Sequence, residues 1–227
     1  MIRAIIFDLD GTLCNTIDDI RDGVNAVLSR LGYKERSRED IHKFINHGAR
    51  NLIKRSLPRD VQNIDFIVES ALSDYNNEYK NYYCNKTHVY EGIEEMLIEL
   101  KSLGFKLGIL SNKQDIYVKG IVEKLFDEDI FTCAMGQTDL PPKPNPAAVS
   151  YITKAMGVRP DKCLYVGDSD VDVDTALNAG MKFIGVSWGY RDEETLRHAG
   201  ATNIAHTPSD IISYLVEYIA EEQNQQE

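Results

Sequence analysis

The sequence predicts an α/β protein: a parallel sheet flanked by helices, with a small helical domain inserted after the first strand. Three observations carry this. Short apolar runs at residues 2–7, 106–110, 163–167 and 182–186 are each closed by Gly, Asp, Ser or Asn, as buried parallel strands are. From residue 87 onward these runs alternate with segments of helical periodicity, the pattern that builds a parallel sheet. The stretch 15–86 breaks the alternation, with helical patterns and no convincing strand. The expected division is a core of residues 1–14 and 87–227 and an inserted helical domain of residues 15–86.

The elements follow in order. Ala4-Ile5-Ile6-Phe7 forms the first strand, and Gly11 lets the backbone turn sharply behind it. Ile17, Ile20, Val24, Val27, Leu28 and Leu31 line one amphipathic helix that Gly32 ends. Ser37 with Asp40 makes an N-cap box, Asp standing in for the usual Glu. His47-Gly48-Ala49-Arg50 interrupts two helical stretches. A longer pattern runs from about Val61 to Tyr83, in which Tyr75, Tyr79, Tyr82 and Tyr83 read as packing. Ile93, Met96, Leu97, Leu100 and Leu103 give a helix capped by Gly104, and Ile130 to Met135 a fifth strand. Ala148, Tyr151, Ile152, Ala155 and Met156 repeat the helical pattern before Gly157. Ile212, Leu215 and Ile219 mark a last helix with Ser209 as its N-cap, and the polar tail Glu221 to Glu227 is expected to fray.

Composition bounds the partners. A chain of 227 residues holds one large core or a core plus a smaller domain. A net charge of −11 repels nucleic acid and anionic membranes, so neither is an expected partner. An anionic substrate would need a local positive site or a cation. Cys14, Cys84, Cys133 and Cys163 are scattered without a CxxC pair, which fits reduced thiols rather than a disulfide framework or zinc site. The chain opens on a strand, without a basic segment leading a long apolar one, and no apolar run nears the ~18 residues of a membrane span. The expected location is the cytoplasm; a monomer and a homodimer are both compatible with the sequence.

The groups able to carry chemistry follow predicted strands. Asp8 and Asp10 follow the first, Ser111 and Asn112 the run 106–110, and Asp168, Ser169, Asp170 and Asp172 the run 163–167. Lys143 lies in the stiff loop Pro141-Pro-Lys-Pro-Asn-Pro146. Strand ends of a parallel sheet share one edge, where such sheets place ligands. Each group alone has a plain reading. Asp-x-Asp occurs in turns and caps, Ser-Asn is a common turn, and Lys143 alone is a solvated lysine. Asp168 to Asp174 alone is an acidic first turn of a helix, and Asp170 and Asp174 read as solvated. A buried strand that ends in two acids is costly, however, unless a metal or partner compensates them. The combination in chain order is far more specific than any part.

That order resembles the haloacid dehalogenase-like hydrolase superfamily. Asp8-Leu-Asp-Gly-Thr-Leu13 looks like its first motif, Ser111-Asn112 its second, Lys143 its third and Gly167-Asp-Ser-Asp-Val-Asp172 its fourth. Tyr90-Glu-Gly-Ile93, Ser111-Asn-Lys113 and Trp188-Gly-Tyr190 look most like its phosphoglycolate phosphatase branch. Asn15 departs from the Asp of many relatives at a position outside the chemistry. The resemblance implies a Rossmann-like core with a helical cap that closes over substrate, and hinges near Cys14-Asn15 and Asn85-Lys86. It implies a Mg²⁺-dependent phosphatase acting on a small phosphorylated metabolite, phosphoglycolate favoured, through an aspartyl-phosphate. Asp8 would be the nucleophile and Asp10 the acid and base. Asp8, Asp168 and the Asp10 carbonyl would hold Mg²⁺, with Asp172 supporting the site or binding through water. Lys143 would neutralise phosphate charge and restrain Asp8, while Ser111, Asn112 and the backbone near Gly11 would donate to phosphoryl oxygens. In the cap, His47, Gly48 and Arg50 would read the leaving group, with a surface arginine on a helix's first turn as the alternative for Arg50. Two other functions share these residues: a phosphosugar mutase of the β-phosphoglucomutase type, and a receiver-like switch phosphorylated on Asp8 without turnover.

Overall fold

Strand β1 (Ala4–Phe7) is buried on both faces, because a chain of Ala, Ile, Ile and Phe has no polar side to give to water. The computed structural model in which it lies describes residues 1–224, so residues 225–227 of the polar tail fall outside the described residues. After β1 come a short strand β2 (Cys14–Asn15) and four helices, α1 (Ile17–Arg30), α2 (Arg38–Phe44), α3 (Gly48–Ser56) and α4 (Asp65–Glu78). Strand β3 (His88–Val89) pairs with β2 as a separate two-stranded sheet. The alternation then runs α5 (Ile93–Ser102), β4 (Lys106–Gln114), α6 (Asp115–Leu125), β5 (Cys133–Gln137), α7 (Pro146–Met156) and β6 (Cys163–Gly167). It ends with α8 (Asp170–Asn178), β7 (Lys182–Val186), α9 (Glu193–Ala199), β8 (Ile204–Ala205) and α10 (Pro208–Asn224).

The main sheet has six strands in the order β5-β4-β1-β6-β7-β8, every pair parallel. From β1 the chain builds outward to β4 and β5, then crosses back to build β6, β7 and β8 on the other side. The direction of winding therefore reverses between β1 and β6, and a crevice opens at the carboxyl ends of those strands. Ala4 and Ile6 of β1 and Cys163 and Tyr165 of β6 pack with Ile152 and Met156 of α7 and Val173 and Ala176 of α8 into one core. Burial of this kind contributes about 25 cal/mol per Å² of apolar surface, so the strand ends rest on a firm platform.

Several expected boundaries shift. Strand β5 begins at Cys133 rather than Ile130, because a turn in which the Ile130 amide donates to Asp127 holds the preceding residues. Strand β8, only two residues long, has no counterpart among the sequence expectations. The pattern from Val61 to Tyr83 resolves into α4 alone, with turns on either side. The last helix starts at Pro208, and the Asp210 carboxylate rather than Ser209 ties its start, accepting from the amides of His206 and Thr207 at 2.8 Å each. That helix continues through Asn224, past the point where fraying was expected. Among the described residues, no helix is long and apolar enough to cross a membrane, and none of the four cysteines is paired in a disulfide.

By its internal contacts the chain divides into one unit of Met1–Leu13 with Val89–Glu227 and a second of Cys14–His88. Within the second unit, the Ser37–Asp40 capping box forms in both directions. The rings of Tyr75 and Tyr79 stack at 5.1 Å between centroids, against Gly23 of α1. Asp19 is buried on α1 and accepts hydrogen bonds from the amides of Asn85, Lys86 and Thr87 and from the Thr87 hydroxyl, at 2.6 to 3.0 Å. The main chain of Asn85 and Lys86, close to the boundary of the second unit at His88, is thus bonded within that unit. It is fixed by a carboxylate that local pattern gave no reason to single out.

Candidate active site

Five strand ends of the first unit supply the site. Past β1, Asp8 and Asp10 sit on a turn carried by Gly11, whose φ of 85° favours glycine. The Leu9 amide donates to Asp8 Oδ1 at 2.7 Å and fixes that carboxylate. Past β5, Lys143 is almost fully buried, with its Nζ 3.2 Å from Asp8 Oδ1 and 2.7 Å from Asp172 Oδ1. It also donates at 3.0 Å to the Tyr165 hydroxyl, which in turn donates to the Leu110 carbonyl. Tyr165 belongs to the core face of β6, so the lysine is seated on the sheet itself.

Asp168, past β6, is completely buried, yet both of its oxygens have fixed donors. Thr12 Oγ1 donates to Oδ1 at 3.1 Å and the Tyr190 amide to Oδ2 at 2.7 Å. Tyr190 lies past β7, in a loop that Trp188 pins through a 3.0 Å bond to the Thr12 carbonyl. Gly189 makes this approach possible. A Cβ there would lie 2.2 Å from Asp168 Cβ and 2.6 Å from the Gly11 carbonyl. Gly189→Ala is expected to displace Asp168 and cost about 10²-fold in kcat/KM, as ångström-scale misplacement does. Steady-state kinetics beside an unchanged far-UV spectrum checks this.

Asp172 and Asn112 are both tied to Lys143. Asp172 is the third residue of α8, and its Oδ2 accepts from the Ser169 amide and hydroxyl at 3.1 and 2.6 Å. With Oδ1 on Lys143, both of its oxygens are engaged by protein, which makes it a support for Lys143. The Asn112 side chain accepts from the Lys143 amide at 2.8 Å and donates to the Lys143 carbonyl at 3.1 Å. Its side-chain amide therefore ties the lysine loop to β4. Ser111 is buried, and its Oγ accepts from the Lys113 amide at 3.3 Å.

Lys113, quoted above only for its family likeness, is a full member of the site. Its Nζ lies 3.0 and 3.3 Å from the two oxygens of Asp10. In the second unit, His47 precedes α3 without capping it, and Gly48 begins that helix. Arg50 is half exposed and forks Glu69 at 2.6 Å and Asp65 at 3.1 Å. Its guanidinium is committed to two carboxylates of its own unit, in keeping with the surface alternative.

Charge governs the cluster. Asp8, Asp10, Asp168 and Asp172 are four carboxylates, and Lys113 and Lys143 the two ammonium groups that touch them. Burial pushes the Asp8 carboxyl up to about 7, Lys143 opposing and Asp172 and Asp10 adding to the rise. Burial also raises Asp168 well above the usual carboxylate range, helped by Asp172 and Asp8. For Lys143, burial acts downward, but Asp172 and Asp8 outweigh it and hold the ammonium well above its ordinary value. Ligand oxygens of Asp8, Asp168 and Asp172 lie within 4.8 Å of one another. A surplus of buried negative charge among hard oxygen donors suits a small divalent cation.

Comparison with known proteins agrees with this geometry. Residues 5–186 match the family described as haloacid dehalogenase-like hydrolase. A phosphoglycolate phosphatase of Psychrobacter arcticus is 29% identical over 94% of this chain and 96% of its own length. One from Neisseria gonorrhoeae is 32% identical over 95% and 91%. Among solved structures, a chain from Lactobacillus delbrueckii subsp. bulgaricus, provisionally named a phosphoglycolate phosphatase, superposes with a TM-score of 0.85. It is 31% identical and covers 92% of this chain and 96% of its own. A family match over most of the chain, on a sheet whose strand ends bring Asp8, Asp10, Lys143 and Asp168 together, leads to one assignment: the chain belongs to the haloacid dehalogenase-like hydrolases.

Proposed function

We propose that the protein is a Mg²⁺-dependent phosphatase of a small phosphate monoester, phosphoglycolate favoured, working through an aspartyl-phosphate on Asp8. The observation that carries the reading is the division of labour between the two acids. The Asp8 carboxylate is held by the Leu9 amide and Lys143, and Asp10 by Lys113. An enzyme that forms and then hydrolyses an acyl-phosphate needs one carboxylate for each task, a nucleophile and a proton carrier. The names of the relatives supply the favoured substrate.

An Asp8 oxygen attacks phosphorus in line with the ester oxygen. The bond from phosphorus to that oxygen breaks, and Asp10 gives it a proton as the alcohol leaves. Asp10 then takes a proton from water, the water oxygen attacks phosphorus, and the bond to Asp8 breaks to release phosphate. Lys143 keeps one Asp8 oxygen in place and offsets phosphoryl charge. Asp8 and Asp168 are the carboxylates that would hold Mg²⁺, with the Asp10 carbonyl. The donors on Asp168 leave further lone pairs on each oxygen. When bound, the ion would supply positive charge that offsets the negative charge of the carboxylates and the phosphoryl group.

A panel of phosphate monoesters and sugar phosphates, assayed with and without Mg²⁺, tests the reading. Mg²⁺-dependent release of phosphate, with the highest kcat/KM on phosphoglycolate, is the expected result. Release from none of them sinks the phosphatase reading. Sugar-phosphate isomerisation in place of release replaces it with the mutase.

A further inference from the structure

Lys113 is placed by a specific distortion of the sheet. Strands β4 and β5 are in register at Leu110 with Met135 and again at Gln114 with Gln137, so Ser111, Asn112 and Lys113 stand opposite Gly136 alone. Such a bulge re-aims the side chains it carries. It is held in place at both ends. The Gly136 amide donates to Asp115 Oδ1 at 2.9 Å, and a Cβ on Gly136 would lie 2.4 Å from the Lys113 carbonyl oxygen. The backbone is thus shaped to bring this one ammonium to Asp10, where its side chain is only 6% exposed.

The two lysines divide the site. Lys143 stands at Asp8, the attacking carboxylate, and Lys113 stands at Asp10, the acid for the leaving oxygen. A leaving oxygen in reach of Asp10 lies within about 3 Å of that carboxyl. Lys113 Nζ lies 3.0 Å from Asp10 Oδ1, so the ammonium and a leaving oxygen would share Asp10 as a neighbour. A phosphoryl group on Asp8 would have Lys143 as its neighbouring ammonium. A substrate with a second anion on the carbon next to the ester carbon meets Lys113 too.

We propose that Lys113 is the specificity residue for the leaving group: the bulge at Ser111–Lys113 presents its ammonium to a carboxylate on the alcohol, selecting phosphate esters of 2-hydroxy carboxylic acids. The assignment rests on the phosphatase reading and adds to it the residue that recognises the alcohol.

The test compares phosphoglycolate with its neutral amide, the phosphate ester of glycolamide, in wild type, Lys113→Met and Lys113→Arg. Wild type is expected to prefer the carboxylate ester by about 10- to 100-fold in kcat/KM, the scale of one charge-assisted contact. Lys113→Met is expected to bring that ratio close to unity, chiefly by raising KM for phosphoglycolate, and Lys113→Arg to restore part of it. If Lys113→Met slows both esters equally and keeps the ratio, Lys113 only positions Asp10 and the proposal is overturned. A wild type that hydrolyses both esters equally overturns it as well, without recourse to any variant, and leaves the phosphatase reading standing. Release of phosphate from neither ester overturns it too and leaves the phosphatase reading to the wider panel of monoesters.

Discussion

Asp8→Asn loses turnover by about 10⁴-fold or more, as nucleophile deletions do, and in metal-free buffer at pH 8 it melts at a higher temperature than the wild type. The two effects have one origin. Folding carries the Asp8 carboxyl into a place where burial and neighbouring acids lift it from 3.8 to about 7. The folded state therefore binds this proton more tightly than the unfolded one. Below pH 3.8 the group is neutral in both states and costs nothing. As pH rises from 3.8 to about 7, the unfolded chain ionises first, and the folded state loses stability. Above that window the penalty is complete. Asparagine never ionises, so the gain in the variant should be absent in acid, grow through this window and level off above it. Mg²⁺ should narrow the difference, since an ion that binds only the folded wild type stabilises it by mass action. Melting curves at pH 4, 6 and 8, with Mg²⁺ or chelator, read this directly. An Asp8→Asn protein less stable than wild type at pH 8 would contradict the electrostatics described for the site.

Lys143→Met should do the opposite to stability and the same to activity. Methionine keeps the unbranched stem and removes the ammonium that touches Asp8, Asp172 and the Tyr165 hydroxyl. Breaking one side of a buried ion pair costs about 3–5 kcal/mol, because the abandoned charge stays in a poor solvent. Here two carboxylates are abandoned together. Turnover should drop by at least about 10²- to 10³-fold, the scale of one lost charge-stabilising donor. Adding Asp172→Asn to Lys143→Met should recover stability without recovering activity, since it removes an orphaned charge and supplies no cation. Urea unfolding of the two single variants and the double variant measures the coupling. If Lys143→Met unfolds at the wild-type urea concentration, the ammonium is not what holds these acids.

The parts of the site that sequence made legible lie next to a strong local pattern. Asp8, Asp10 and Asp168 each follow an apolar strand, and Lys143 sits among prolines, so their location at one edge followed from the sheet's parallel order. What stayed hidden depends on contacts between distant segments. Lys113 reaches Asp10 through a bulge that shows no periodicity, and Tyr190 and Gly189 reach Asp168 from another strand end. Nothing in a Ser-Asn pair reveals that the Asn112 side chain will meet the Lys143 backbone. Strand β8 was out of reach for a different reason. Two residues are too few to establish alternation, and Ile204 and Ala205 become a strand only by pairing with β7.

Asp19 has a consequence for how the helical insertion is closed. Its carboxylate joins residue 19 to residues 85–87, a span of 66 to 68 residues, through one buried anion. The entropy of shutting a loop grows only slowly with its length, so a single cross-link here stands in for constraint along the whole segment. Secreted domains assign this task to a disulfide; this chain, whose four cysteines form no disulfide, assigns it to a carboxylate and three amides. A covalent staple survives in the unfolded chain, whereas this one exists only once the helices have brought its two ends together. The closure of the insertion is therefore a property of the folded unit, held without a covalent link.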